Sequence, residues 1–227
     1  MKRKFGIAAL ALIVVAGLGL FAIGPKNSTT TALVPFAPGA AIAQVAGAEA
    51  EAIEIVDFAL GPEDAKVTVV EYASFTCPHC ATFHASVFKP LKADYIDTDK
   101  IRFIYREVYF DRYGLWAAMM ARCGGATRYF GISEILYSTQ ADWAQLQDPA
   151  VVVENLKRIG RTAGMDDASL DACMQDGAKA QAMVEHFQKN AEADKVEGTP
   201  TILVNGTKHS NMSYAELKTI IDAELAK

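Results

Sequence analysis

The chain has 227 residues, 51% of them hydrophobic, with 22 basic and 27 acidic side chains and a formal net charge of −5. Lys2, Arg3, Lys4 and Lys26 precede residue 44 and no acidic residue does, so 18 basic residues face 27 acidic ones beyond it and that part stands near −9. This balance argues against nucleic acid or an anionic membrane surface as partner, and the length suits one domain with an elaboration.

Met1-Lys2-Arg3-Lys4 is basic, and Phe5 to Gly24 follows without a single charge. Residues 1–24 therefore read as a signal peptide or a signal anchor. The usable small-x-small site, Ala41-Ile42-Ala43, lies far beyond the apolar run, and Pro25 disfavours cleavage after Ala22-Ile23-Gly24. Either way the folded part is expected in the periplasm, tethered to the inner membrane by residues 5–24 if the segment is retained. Disulfides persist there, and four cysteines suit it. Residues 25–52, rich in Ala, Thr and Pro, read as a linker.

Ile53 to Leu60 has the look of an edge strand, and Gly61-Pro62-Glu63-Asp64 that of a turn. Val67 to Ala73 is an apolar run of central-strand type. After it Phe83, Val87, Phe88 and Leu91 fall at helical spacing, in a helix expected to kink or end near Pro90. Ile101 to Val108 is the next strand. From Tyr113 to about Lys195 the period is helical, with Asp148-Pro149 as a cap and first-turn proline. Thr201 to Val204, the turn Asn205-Gly206 and Thr207 to Ser210 form a hairpin, and Ser213 with Glu216 makes a capping box for the last helix. The expectation is an α/β domain in two parts, 53–112 and 196–227, separated by a helical insertion over 113–195.

The sequence Cys77-Pro78-His79-Cys80 sits where the central strand turns into its helix. Thr76 is the expected N-cap, and Pro78 in the first turn loses no needed N–H. A sulfur there meets unpaired N–H groups and the positive end of the helix dipole, which lower a cysteine pKa from about 8.5 into the range of roughly 3.5–7.5. Cys80 lies one turn on, in reach of Cys77. A structural zinc site wants four ligands; His84 could be a third, but Cys123 and Cys173 stand alone and far off. Haem attachment wants histidine after the second cysteine, where Ala81 stands. Neither a metal nor another cofactor is expected, and the site reads as a redox pair.

Two further features stay open on the residues alone. Glu71 shares a strand face with Val67 and Val69, so it is either an ordinary strand-end charge or a carboxyl of raised pKa that exchanges a proton with a buried thiol. Cys123 and Cys173 both fall in the helical block, as two buried free thiols or as one bridge.

Four features carry a resemblance over residues 53–227: Glu71-Tyr-Ala-Ser-Phe-Thr-Cys77-Pro78-His79-Cys80, the helical insertion, Gly198-Thr199-Pro200 before a strand, and Val204-Asn205-Gly206 closing it. Together they resemble the thioredoxin superfamily, and within it the DsbA-type periplasmic thiol-disulfide oxidoreductases. The resemblance implies a thioredoxin fold with an inserted all-helical subdomain. It makes Cys77 the exposed nucleophile and Cys80 the buried resolving thiol. Pro78 and His79 become the dipeptide that tunes them, with His79 stabilising the Cys77 thiolate. Pro200 becomes a cis-proline facing the sulfurs, and Thr199 the residue whose backbone pairs with substrate. Glu71 matches an acidic position of the family, and a Cys123–Cys173 structural disulfide is permitted.

The implied activity is to introduce disulfides into reduced, unfolded exported proteins, with reoxidation by a membrane partner of the DsbB type. A disulfide isomerase or reductase kept reduced by a membrane partner is the alternative, because Thr199 also precedes the proline in isomerases. A non-catalytic chaperone on the same fold is the third class. Residues 25–50 are short and Ala/Pro-rich for a dimerising segment, so a monomer is expected.

Overall fold

Around the strand β2 (Val67–Ala73) a five-stranded sheet assembles in a computed structural model that describes residues 53–227. The expected signal or anchor over 1–24 and linker over 25–52 lie outside the described residues. Among the described residues, no helix is long and apolar enough to cross a membrane.

Alternate residues Val67, Val69 and Ala73 of β2 are fully buried, and they carry Glu71 inward with them. β3 (Ile101–Glu107) runs parallel to β2, with Glu71 opposite Tyr105. β4 (Thr201–Val204) runs antiparallel on the other side, with Glu71 opposite Ile202. β1 (Phe58–Leu60) and β5 (Thr207–His209) form the edges, giving the order β1-β3-β2-β4-β5. The turn between β4 and β5 holds both Asn205 (φ 47°) and Gly206 (φ 80°) in the left-handed region, as a tight hairpin requires.

β1 is shorter than the expected Ile53–Leu60 because polar contacts take over before Phe58. Asp57 accepts a hydrogen bond from Arg106, and the Val56 carbonyl accepts one from Arg122. The helix after Cys77 differs in the opposite sense. α1 (Pro78–Phe83) continues through a π-helical turn at His84–Phe88, α2 (Lys89–Leu91) and a second π-helical turn at Lys92–Ile96. The Lys89 N–H reaches back five residues to the His84 carbonyl. The widened turn admits Pro90 without ending the helix.

The chain between β3 and β4 is helical: α3 (Arg112–Cys123), α4 (Gly125–Ser138), α5 (Gln140–Trp143), α6 (Pro149–Thr162), α7 (Asp167–Met174) and α8 (Gly177–Ala193). Residues of α3 to α7 join the main core with the inner face of β2 and β3. α8 serves both faces: Met183 joins the main core, and Phe187 packs on Tyr72, Val108 and Leu203 on the opposite side. Asp148 caps α6 ahead of Pro149, and the reciprocal Ser213–Glu216 capping box opens α9 (Tyr214–Leu225). This is a thioredoxin fold with an inserted all-helical subdomain.

Two devices fasten the insertion. Arg122 of α3 holds Glu107 at the end of β3 through two bonds of 2.8 and 2.6 Å, both side chains buried, and Tyr129 of α4 donates to the same carboxylate at 2.7 Å. Next to Arg122, Cys123 is joined to Cys173 of α7 by a disulfide, with Cα atoms 5.9 Å apart.

Candidate active site

The N-cap of α1 is Cys77 itself, with extended backbone (φ −82°, ψ 119°), and not Thr76. The Thr76 hydroxyl is drawn away to Asp111, 2.6 Å distant, which also caps α3 by accepting from the N–H groups of Tyr113 and Gly114. The one-residue shift matters chemically. An N-cap side chain faces the N–H groups two and three residues on, here His79 and Cys80. Cys77 and Cys80 are both free thiols, Cys77 half-buried and Cys80 fully buried.

The two sulfurs are driven apart in acidity. The Cys80 thiol, donating to Cys77, pulls its pKa down, aided by Thr199 and the backbone N–H groups of Cys80 and His79 against the opposing effect of burial; the Cys77 pKa falls to about 5. Donating that hydrogen bond to the Cys77 thiolate, being buried and lying near Glu71 all push Cys80 far upward. Glu71 sits in the core with neither carboxyl oxygen hydrogen-bonded, and burial alone lifts it to about 8. Near neutral pH the site therefore holds one thiolate, one buried thiol and one buried carboxylic acid.

The Thr199–Pro200 peptide bond is cis, and the Thr199 carbonyl lies 3.6 Å from the Cys77 sulfur, where it accepts from the thiol form only. A groove beside it is lined by Glu197 to Thr201 together with His209 and Asn211. Pro78 and His79 are exposed, and what reaches the Cys77 sulfur from His79 is its backbone N–H. Among the described residues, no group of three or more His, Cys, Asp or Glu side chains is placed to hold a metal. A sequence profile of the family described as Thioredoxin matches residues 54–223, about three quarters of the chain.

The chain belongs to the thioredoxin family. Within it the chain is DsbA-like. The crystal structure of Wolbachia pipientis alpha-DsbA1 superimposes with a TM-score of 0.69 and 26% identity, over 75% of this chain and 91% of that one. Disulfide bond formation protein D of Bacillus subtilis is 26% identical over 174 residues, covering 73% of this chain and 76% of its own length. A Rickettsia bellii protein, provisionally named protein-disulfide oxidoreductase, is 34% identical over 167 residues, or 73% of this chain. The chain spans only 63% of the length of that rickettsial relative.

Several members of this thioredoxin-family site carry little or no signal in the sequence. Gln140 of α5 donates from one amide nitrogen to the carbonyls of Phe75 and Cys77, at 2.8 and 3.0 Å. Tyr137 of α4 donates to the Ser74 carbonyl at 3.2 Å and shares a hydrogen bond with Tyr105 of β3. Asp111 has a readable signal, an acid at the start of a helical pattern. Tyr105 can be placed beside Glu71 from strand alternation. Gln140 and Tyr137 have none.

Proposed function

We propose that this chain is a thiol-disulfide oxidoreductase that works as an oxidase, passing a Cys77–Cys80 disulfide to reduced, unfolded exported proteins. The observation that carries this reading is the opposed acidity of the two sulfurs. The Cys77 thiolate exists only in the reduced form, so whatever stabilises it favours reduction of the pair and makes the disulfide a stronger oxidant.

The steps follow from that asymmetry. A substrate thiolate attacks the Cys77 sulfur, the Cys77–Cys80 bond breaks, and Cys80 leaves with the electron pair. Glu71, a carboxylic acid at neutral pH, supplies the proton that neutralises Cys80. A second substrate thiolate then attacks the substrate sulfur of the mixed disulfide and releases Cys77 as its thiolate. The substrate has lost two electrons to the pair. Glu71, an acid in the reduced protein as well, regains its proton from solvent. A membrane reoxidant of the DsbB type takes the two electrons, and the Cys80 proton leaves to solvent. The Thr199 backbone and Pro200, beside the groove, hold the extended substrate chain by main-chain pairing. Pro78 and His79 leave the nucleophile open to it.

The basic leader and uncharged run of residues 1–24 support the periplasm as the place of this reaction, with a tether to the inner membrane if residues 5–24 are retained, and the chain acts as a monomer. Cys123–Cys173 serves as a structural bridge. The contact of Thr199 with Cys77 favours a second reading, a disulfide isomerase or reductase, since it alters how the loop meets the sulfur.

The deciding measurement is the reduction potential of the Cys77–Cys80 pair. An oxidase should lie toward about −120 mV, whereas a value at or below about −180 mV identifies an isomerase or reductase instead. Alkylation of Cys77 should titrate with a midpoint near 5; a midpoint at the ordinary value of about 8.5 would remove the basis of the reading. Cys77→Ser should abolish transfer, and Cys80→Ser should accumulate mixed disulfides with substrate.

A further inference from the structure

Tyr105 and Tyr137 are buried beneath the active-site turn, and their hydroxyls hydrogen-bond to each other. A phenol carries one proton. Tyr137 spends its own on the Ser74 carbonyl, 3.2 Å away, so the bond between the hydroxyls is donated by Tyr105. Both protons thus run one way, from Tyr105 to Tyr137 to the backbone three residues before Cys77.

Tyr105 stands opposite Glu71 in the parallel pair of strands, so the two side chains share the inner face. Glu71 is buried beside Tyr105, and Cys80, Tyr105 and Tyr137 are buried in one core cluster. Cys80 enters it from α1, Tyr137 from α4 and Tyr105 from β3. His84 stacks on Tyr137 at 5.0 Å, with its Nε2 unbonded, and Tyr129 meets Tyr105 edge-on at 6.0 Å while donating to Glu107. Neither oxygen of the Glu71 carboxyl has a hydrogen-bond partner, and the Tyr105 and Tyr137 hydroxyls on its side of the sheet are both committed to other acceptors.

We propose that Tyr137 is a positioning residue for the redox pair: by holding the Tyr105 proton it keeps a hydrogen-bond donor away from Glu71 and Cys80, and so leaves the negative charge of the reduced protein on Cys77. This deepens the oxidase reading, on which its consequence for disulfide transfer rests.

Tyr137→Phe leaves the Tyr105 hydroxyl without an acceptor and free to turn toward Glu71. In the reduced full chain, NMR titration of carboxyl-labelled Glu71 should then show its midpoint lowered by about one pH unit, since a donor stabilises the carboxylate. In Tyr105→Phe/Tyr137→Phe no proton is left to turn, and the midpoint should return to the unmutated value or above. Simple loosening of the core would move the single and double variants in the same direction. An unmoved midpoint in Tyr137→Phe, or an equal drop in the double variant, overturns the proposal.

Should Tyr137→Phe fail to fold, the unmutated chain decides. Its slowly exchanging tyrosine hydroxyl protons should place the Tyr105 proton against the Tyr137 ring, and a Tyr105 proton lying against Glu71 overturns the proposal. Disulfide transfer is scored separately. The predicted titrations in a chain that transfers no disulfide would sink the oxidase reading and leave the hydroxyl chain standing.

Discussion

Glu71 brings an acid into the core with both oxygens unbonded, and that has a sign and a pH window. Its pKa rises from 4.5 to about 8 on folding, so the folded chain keeps a proton that the unfolded chain releases. The cost is absent below the unfolded value, grows as pH rises, and is complete above about 8. Glu71→Leu should therefore stabilise the reduced protein by about 3 kcal/mol at neutral pH and by little at pH 4. Denaturant unfolding of both proteins across that range checks it, and because both carry Cys77 its titration cancels. A gain that does not change with pH would mean that packing, not the proton, is responsible.

The inward turn of Glu71 is readable from its alternation with Val67 and Val69. The identity of the N-cap is not, because Asp111, 35 residues later, takes the Thr76 hydroxyl and leaves the cap to Cys77. The contacts of Tyr137 and Gln140 span 63 and 65 residues, with no local period to announce them.

At the scale of elements, the insertion is fixed to the sheet by a buried charge pair and closed upon itself by a disulfide. Removing one partner of a buried pair strands the other, so Glu107→Ala should cost about 3–5 kcal/mol in a denaturation experiment. The Arg122 guanidinium it abandons stays almost wholly buried. A loss below about 1 kcal/mol would show that water reaches Arg122 easily. The Cys123–Cys173 bridge closes a separation of 50 residues, worth about 4 kcal/mol on the chain-entropy account. Cys123→Ala/Cys173→Ala should lose most of that in unfolding experiments while keeping its rate of disulfide transfer. Equal losses of stability and rate would tie the bridge to the chemistry.

The strand and helix periods, the Asn205-Gly206 turn and the two caps at Asp148 and Ser213 are all legible, since each depends on neighbours in sequence. Pro90 is the exception, for a physical reason. The rule against proline assumes bonds four residues back, and here the helix reaches back five.

For the molecule as a whole, the Cys77 thiolate should make the reduced protein the more stable redox form, as the oxidase proposal requires. The Cys77 pKa falls from 9.0 to about 5 on folding, so this stabilisation is fully present above pH 9 and is lost as pH falls through 5. Denaturant unfolding of the dithiol and disulfide forms should show a clear advantage for the dithiol at pH 8 that has closed by about pH 4. A gap of constant size would assign the difference to something other than the thiolate. The grip of Gln140 on the Phe75 and Cys77 carbonyls extends this from charge to mechanics. One amide on α5 spans the backbone on both sides of Thr76, so the inserted helices are a bracket for the nucleophile and not a door over it. Were they to swing clear to admit a substrate, they would drag the Cys77 carbonyl out of line before the cleft had opened, so an incoming chain has to thread a rim that stays put.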